Sequence, residues 1–248
     1  MPKPNFIELP TGETIPILYE DRSVIAIDKP RDWMLVPFSW QKTNRNLQAA
    51  LTSSVAARDF WAKSRNLRFL RFIHRLDAET TGILLFGKSP GAVESLSRLF
   101  ETREMDKTYL AVVAGIPKKS EWICQLRLGP DPRLPGKMRA DSRQGKDAET
   151  HFKVMQVNRE RALVEARPLT GRTHQIRIHL AESGHPVIGE ELYGKKDIKA
   201  QLNLALRAVS LNYRDPFTRH EVRIRAPTKW FIREYGFDVR EPAGQKDQ

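Results

Sequence analysis

Short apolar runs of strand length recur along this chain. Polar turn segments break them, and only a few stretches of helical spacing lie between them. Ile15 to Tyr19 and Val24 to Asp28 flank Glu20-Asp21-Arg22-Ser23 as a hairpin would, and Lys29-Pro30 ends the second run. Phe69 to Leu76 and Ile83 to Phe86 read as strands joined by the polar bend Asp77 to Gly82, and Thr108 to Ala114 reads as another. Val154 to Val157 and Ala162 to Ala166 flank Asn158 to Arg161 as a further hairpin, and strands resume around Glu221 to Arg225.

Helices are expected in three places. Thr43 to Arg58 carries Leu47, Ala50, Leu51 and Val55 at helical spacing behind a capping Thr43 or Asn44. Ser89-Pro90 supplies a cap and a first-turn proline for a helix reaching about Arg103. Thr173 to Ser183 alternates like a strand at its centre, but a capping Thr173, the Ile176 and Leu180 pair and a stop at Gly184 favour a helix. Ile116 to Lys146, rich in Pro, Gly and Arg, reads as a basic loop excursion. Because strands and helices mix without the strict alternation of a parallel sheet, the expected class is α+β.

With 248 residues and 40% hydrophobic content, the chain has enough apolar material for one domain with two lobes. The division expected is an N-terminal extension over 1–14, a catalytic domain over 15–235 and a tail over 236–248. Lys and Arg number 42 against 30 Asp and Glu, a formal charge of +12, which favours a polyanionic partner, RNA or DNA first. A membrane partner is not expected: there is no basic amphipathic helix, lipid signal or apolar run near the roughly 20 residues of a span. Met1 to Pro10 lacks the apolar stretch of a signal peptide, so a cytoplasmic protein is expected. Cys124 stands alone, which excludes an internal disulfide and a cysteine-rich zinc site. The six histidines lack a helical pair framing a carboxylate, and no metal is expected.

Three positions carry candidate chemistry. Asp77, at the bend, is either a turn cap or a nucleophile or general base held ionised by a nearby cation. Arg177 lies on a helix that must bury Ile176 and Leu180, so its guanidinium is expected to be partly enclosed and to seek a carboxylate. Tyr109 is either a structural strand tyrosine or, with a nucleic acid present, a stacking platform for an unpaired base.

His74-Arg75-Leu76-Asp77 followed by Thr80-Thr81-Gly82 resembles the His-Arg-Leu-Asp and Thr-Ser-Gly signature of the RluA-type pseudouridine synthases, which act on ribosomal and transfer RNA. The resemblance continues in Lys107-Thr108-Tyr109, in Gly171 to His179, and in Gly184 to Gly189 with Leu192-Tyr193-Gly194. Leu18 to Asp21 and Asp28-Lys29-Pro30 also fit, so it spans residues 15–228 in order.

That resemblance implies a mostly antiparallel mixed sheet in two halves, with helices outside and a cleft between. It implies isomerisation of uridine in a structured RNA without cofactor or metal. Asp77 falls on the family's nucleophile, Tyr109 on its active-site tyrosine and Arg177 on its carboxylate-pairing arginine. Arg75 falls on the arginine that fills the space of the extruded base, and His74, Lys107, Arg172 and His174 join it in the expected RNA-binding set. Two positions depart: Asp32 stands where relatives often have Gly, and Arg207 where they often have His. No added RNA-binding domain fits ahead of the first expected strand, and a monomer is expected. The competing readings are a non-catalytic RNA-binding or ribosome-assembly factor on the same fold and, more remotely, a metal-free nuclease or glycosidase. The latter lacks an evident second carboxylate beside Asp77.

Overall fold

A computed structural model describes residues 2–9, 11–35, 45–194 and 202–239. The strands are β1 (Phe6–Glu8), β2 (Thr14–Glu20), β3 (Val24–Lys29), β4 (Arg71–Phe72), β5 (Thr81–Gly87), β6 (Asp106–Ala114), β7 (Glu121–Pro130), β8 (Met138–Ala140), β9 (Lys146–Asn158), β10 (Arg161–Pro168), β11 (Leu206–Arg214) and β12 (Glu221–Arg225). The helices are α1 (Leu47–Ala57), α2 (Phe60–Lys63), α3 (Pro90–Glu101), α4 (Gln175–Glu182) and α5 (Lys229–Glu234).

The strands join one sheet in the order β1-β2-β3-β5-β11-β6-β10-β9-β7-β8, with β12 on β11 and β4 on β5. Every pairing among these strands is antiparallel except β5 with β11. The fold is thus α+β, as expected. Two cores divide the sheet into halves. One gathers β3 and β5 with Trp33, Leu47, Leu51, Trp61 and Leu96. The other gathers β6 and β10 with Ile176, Leu180 and Phe231. β5, buried along its whole length, has the continuous apolar sequence of a strand covered on both faces. Tyr109 packs against both cores, at the seam.

The first hairpin, the 158–161 hairpin and the helix behind Ser89 form as expected, with the Ser89 side chain accepting from the Ala92 N–H. Other expectations are corrected. Of Phe69 to Leu76 only Arg71 and Phe72 are a strand, because the His74 ring takes the Leu85 N–H where a continuing strand would offer a carbonyl. Asp77 therefore sits on an irregular loop, not at a strand end. The stretch 116–146 is no loop excursion: β7 and β8 form a hairpin there, and β7 pairs with β9 along Glu121 to Leu128. α1 is capped by Asn46, while Thr43 and Asn44, and the basic pair Lys195-Lys196 expected from the sequence to meet RNA phosphates, lie outside the described residues. α4 is not capped by Thr173; the residue before it is His174, in the left-handed region at φ 55°. Among the described residues no helix is long and apolar enough to cross a membrane.

Both departures from the family pattern have structural places. Asp32 adopts φ 63°, a conformation Gly takes freely and Asp tolerates, and its N–H donates to the Ala78 carbonyl at 2.9 Å. Arg207 is buried and forks onto Asp28 at 2.9 and 2.6 Å, reaching across β5. Beneath that crossing, Gly82 has φ 105°, and a Cβ there would collide with the Ala208 carbonyl oxygen. Gly82→Ala should therefore part β5 from β11 and destabilise the protein by about 3 kcal/mol or more in urea unfolding. Gly91→Ala, in open space on α3, should stabilise it by up to about 1 kcal/mol in the same assay.

Candidate active site

The loop 73–80 leads into β5 and is fixed mainly through its backbone. Lys29, fully buried, donates from Nζ to the carbonyl oxygens of Pro30 at 3.0 Å, Ala78 at 2.7 Å and Thr80 at 2.9 Å. Burial pushes this ammonium down to about 8, opposed by the charges of Asp77 and Glu79. The Thr80 N–H turns back to the Asp77 carbonyl at 3.2 Å. With its backbone held, Asp77 presents a partly exposed carboxylate to the cleft.

Arg177 faces it from the first turn of α4, in the other half of the sheet. Its side chain is 3% exposed, and its Nε and Nη2 fork onto Glu190, itself 1% exposed, at 2.7 and 2.8 Å. Nη1 remains, 3.4 Å from Asp77 Oδ2 and 3.5 Å from Glu79 Oε2. Burial opposes the Arg177 charge, but Glu190, followed by Asp77 and Glu79, more than offsets it, so the guanidinium is held above its usual range. The enclosed arginine thus has its carboxylate, and the principal one is Glu190; Asp77 takes the remaining edge.

His174 completes the surroundings of Asp77. Its Nε2 is 3.8 Å from Asp77 Oδ1, and its Nδ1 is 2.7 Å from the Tyr193 hydroxyl. Burial lowers the imidazole below its ordinary value against the opposing pull of Asp77, so it is neutral at pH 7. Tyr109 is half-buried on β6, and burial, then the Asp77 charge, push its phenol up. It remains a protonated, flat surface for a base.

The other residues singled out from the sequence divide by environment. Arg75 is exposed on the rim. His74 stacks on Phe100 with ring centres 4.6 Å apart, and burial, then Lys107, hold it down to about 3, which leaves it a neutral structural acceptor. Lys107 lies 5.8 Å from the Phe100 ring centre and 3.4 Å from the Thr170 carbonyl; burial lowers it to about 8. Arg172 donates from Nε to the Asp147 carbonyl at 3.1 Å.

These four side chains and the trio of Asp77, Tyr109 and Arg177 line one cavity of about 1000 Å³, bounded also by Leu134 to Lys137 of the β7–β8 hairpin. That volume is at the upper end for small-molecule sites and is open enough for a nucleotide still attached to its chain. Sequence reasoning missed Glu190, Tyr193 and the anchoring role of Lys29. Lys29 and Tyr193 lie in motifs already noted, whereas Glu190 falls between two of them, and its only signal was the need of a buried Arg177 for a full partner. Among the described residues no group of His, Cys, Asp and Glu could hold a metal ion.

A carboxylate beside a buried arginine, with a tyrosine on the same basic cleft, is the arrangement the family resemblance implies. The family model for RNA pseudouridylate synthase matches residues 23–182, and the chain belongs to that family. It is similar to proteins named ribosomal large subunit pseudouridine synthase C. It is 31% identical over 233 residues to that of Buchnera aphidicola, covering 88% of this chain and 69% of the relative. It is 37% identical over 191 residues to that of Yersinia pestis, covering 72% and 58%. The chain therefore spans roughly three fifths to two thirds of the length of these relatives. Among solved structures it resembles human RNA pseudouridylate synthase domain containing 1, with a TM-score of 0.70, 25% identity, and coverage of 88% of this chain and 85% of that one.

The buried fork makes a stability prediction. Glu190→Ala strands Arg177 in the interior and should cost about 3–5 kcal/mol in chemical denaturation. Glu79→Ala, removing a side chain 48% exposed, should cost less than about 1 kcal/mol in the same assay.

Proposed function

We propose that this chain isomerises uridine to pseudouridine in ribosomal RNA, with Asp77 as the nucleophile. The observation that carries the reading is the condition of the Asp77 carboxylate. It opens on the cavity, and its nearest cationic or imidazole atoms stand at 3.4 Å and 3.8 Å, so neither oxygen is tied down by a short hydrogen bond. A carboxylate serving only as a turn cap would spend its oxygens on nearby backbone N–H groups, as Asp21 does with Ser23 and Val24.

In this reading the target uridine leaves its stack and enters the cleft, a step that costs a few kcal/mol and is easiest in loops and bulges. Asp77 adds to the ribose anomeric carbon or to uracil carbon 6, and the bond from uracil N1 to the ribose breaks. The base turns, carbon 5 bonds to the anomeric carbon, and Asp77 departs. The proton on carbon 5 is lost and N1 gains one, so the product is an isomer of the substrate. Tyr109 stacks on the base, Arg75 occupies the space it vacates, and Lys107 and Arg172 meet phosphates. Ribosomal RNA is favoured over transfer RNA because the relatives above are named for the large ribosomal subunit.

The test is incubation of the purified protein with ribosomal and transfer RNA free of pseudouridine, followed by mapping of modified positions. Pseudouridine at a discrete site in ribosomal RNA is expected. Binding to both RNAs with no modified position in either would leave a non-catalytic RNA-binding protein.

A further inference from the structure

Tyr193 receives two hydrogen-bonding atoms from different parts of the fold. The Met138 backbone N–H, at the start of β8, donates to the Tyr193 hydroxyl at 3.1 Å. The same hydroxyl lies 2.7 Å from His174 Nδ1. A phenol has one proton to give, and with the Met138 N–H already directed at its oxygen, that proton is free for Nδ1. Burial pushes the Tyr193 phenol up, so the proton stays on it across the neutral range. If Nδ1 accepts, the neutral ring carries its hydrogen on Nε2, the nitrogen directed at Asp77 Oδ1.

The surroundings hold Tyr193 in this place. Glu190, the carboxylate that grips Arg177, also accepts the Leu192 N–H at 2.9 Å and so fixes the segment bearing the tyrosine. The Arg177 guanidinium lies 5.7 Å from the tyrosine ring centre and the Lys137 ammonium 5.5 Å. Lys137 precedes Met138 at the hairpin tip, on the cavity wall.

We propose that Tyr193 is a positioning residue that fixes His174 as the Nε2–H tautomer, so that a neutral donor faces Asp77 and the β7–β8 hairpin is coupled to the nucleophile. The inference rests on the reading of Asp77 as nucleophile and adds a mechanism for its control. With His174 neutral, Asp77 has an uncharged ring nitrogen 3.8 Å from one oxygen and the shared Arg177 edge 3.4 Å from the other. With His174 protonated, Asp77 would be drawn into a full ion pair and lose nucleophilic strength. The charged groups facing the imidazole are Asp77, Glu79 and Glu190, which favour protonation, and Arg177, which opposes it. Accepting the tyrosine proton adds to that opposition, because a hydrogen bond to the neutral form lowers a basic group's affinity for a proton.

The test uses protein labelled with nitrogen-15 in histidine, together with Tyr193→Phe, which keeps the ring over Arg177 and removes only the hydroxyl. The unsubstituted protein should show His174 as the Nε2–H tautomer by nitrogen-15 chemical shifts. Tyr193→Phe should mix the tautomers, move the acid limb of the single-turnover rate to higher pH, and slow the neutral-pH rate by about tenfold, with RNA affinity within about twofold. His174→Gln, which carries no titrating ring, should show the same acid limb with and without Tyr193→Phe. An Nδ1–H tautomer in the unsubstituted protein, or a Tyr193→Phe rate and pH profile matching it, would overturn the inference. The tautomer is read without catalysis, so failure here is distinct from failure of the parent reading, in which Asp77→Asn would remain active.

Discussion

Much of this structure turns on a guanidinium buried in the interior with more carboxylates around it than it can grip equally. Arg177 spends its best geometry, two parallel N–H bonds, on Glu190. A buried pair of this kind roughly breaks even against an apolar replacement, so its use lies in placement more than in stability. Once the guanidinium plane is fixed by Glu190, its remaining edge is aimed at Asp77. α4 packs against β9, β10 and β7 in one half of the sheet, while the Asp77 loop leads into β5 in the other. The ion cluster therefore spans the seam where Tyr109 touches both cores.

Behind the loop, a second set of contacts fixes Asp77 without touching its carboxylate. Lys29 and the Asp32 N–H both end on the Ala78 carbonyl. Asp28, next to Lys29, is bound by Arg207 across β5, and the close approach at Gly82 lets β5 and β11 lie near enough for that reach. Holding the backbone tightly while leaving the side-chain oxygens loosely held gives an orientation prepared before substrate arrives. The same division of labour accounts for the buried lysine, which donates to three carbonyl oxygens around the turn and so ties them together.

The parts legible in the sequence were those written locally. A cap with a first-turn proline specifies α3, and a four-residue polar break specifies the first hairpin. Asp77 and Tyr109 are each open to a structural reading on their own segments, and it is the match of several ordered motifs to one family that singles them out together with Arg177. What escaped was set by partners distant in sequence. In β7, Trp122, Cys124, Leu126 and Leu128 alternate correctly, but exposed Ile123 fills the opposite face and hides the period. β8 has three residues and exists through its pairing with β7. In 69–76 the apolar residues imitate a strand, yet a histidine ring nitrogen replaces the ladder partner of Leu85. Glu190 shows no local sign of its role, since its partner lies on α4 beyond the turn at Gly184.

The central claim is that Asp77, oriented by Arg177 and backed by Lys29, performs the covalent step. Isomerisation breaks the bond between carbon 5 of uracil and its hydrogen, so RNA carrying uridine tritiated at carbon 5 should release tritium to water as product forms. Under single-turnover conditions with protein in excess, release is expected from the unsubstituted protein and none above background from Asp77→Asn, with RNA affinity essentially unchanged. Release by Asp77→Asn at the rate of the unsubstituted protein would contradict the account.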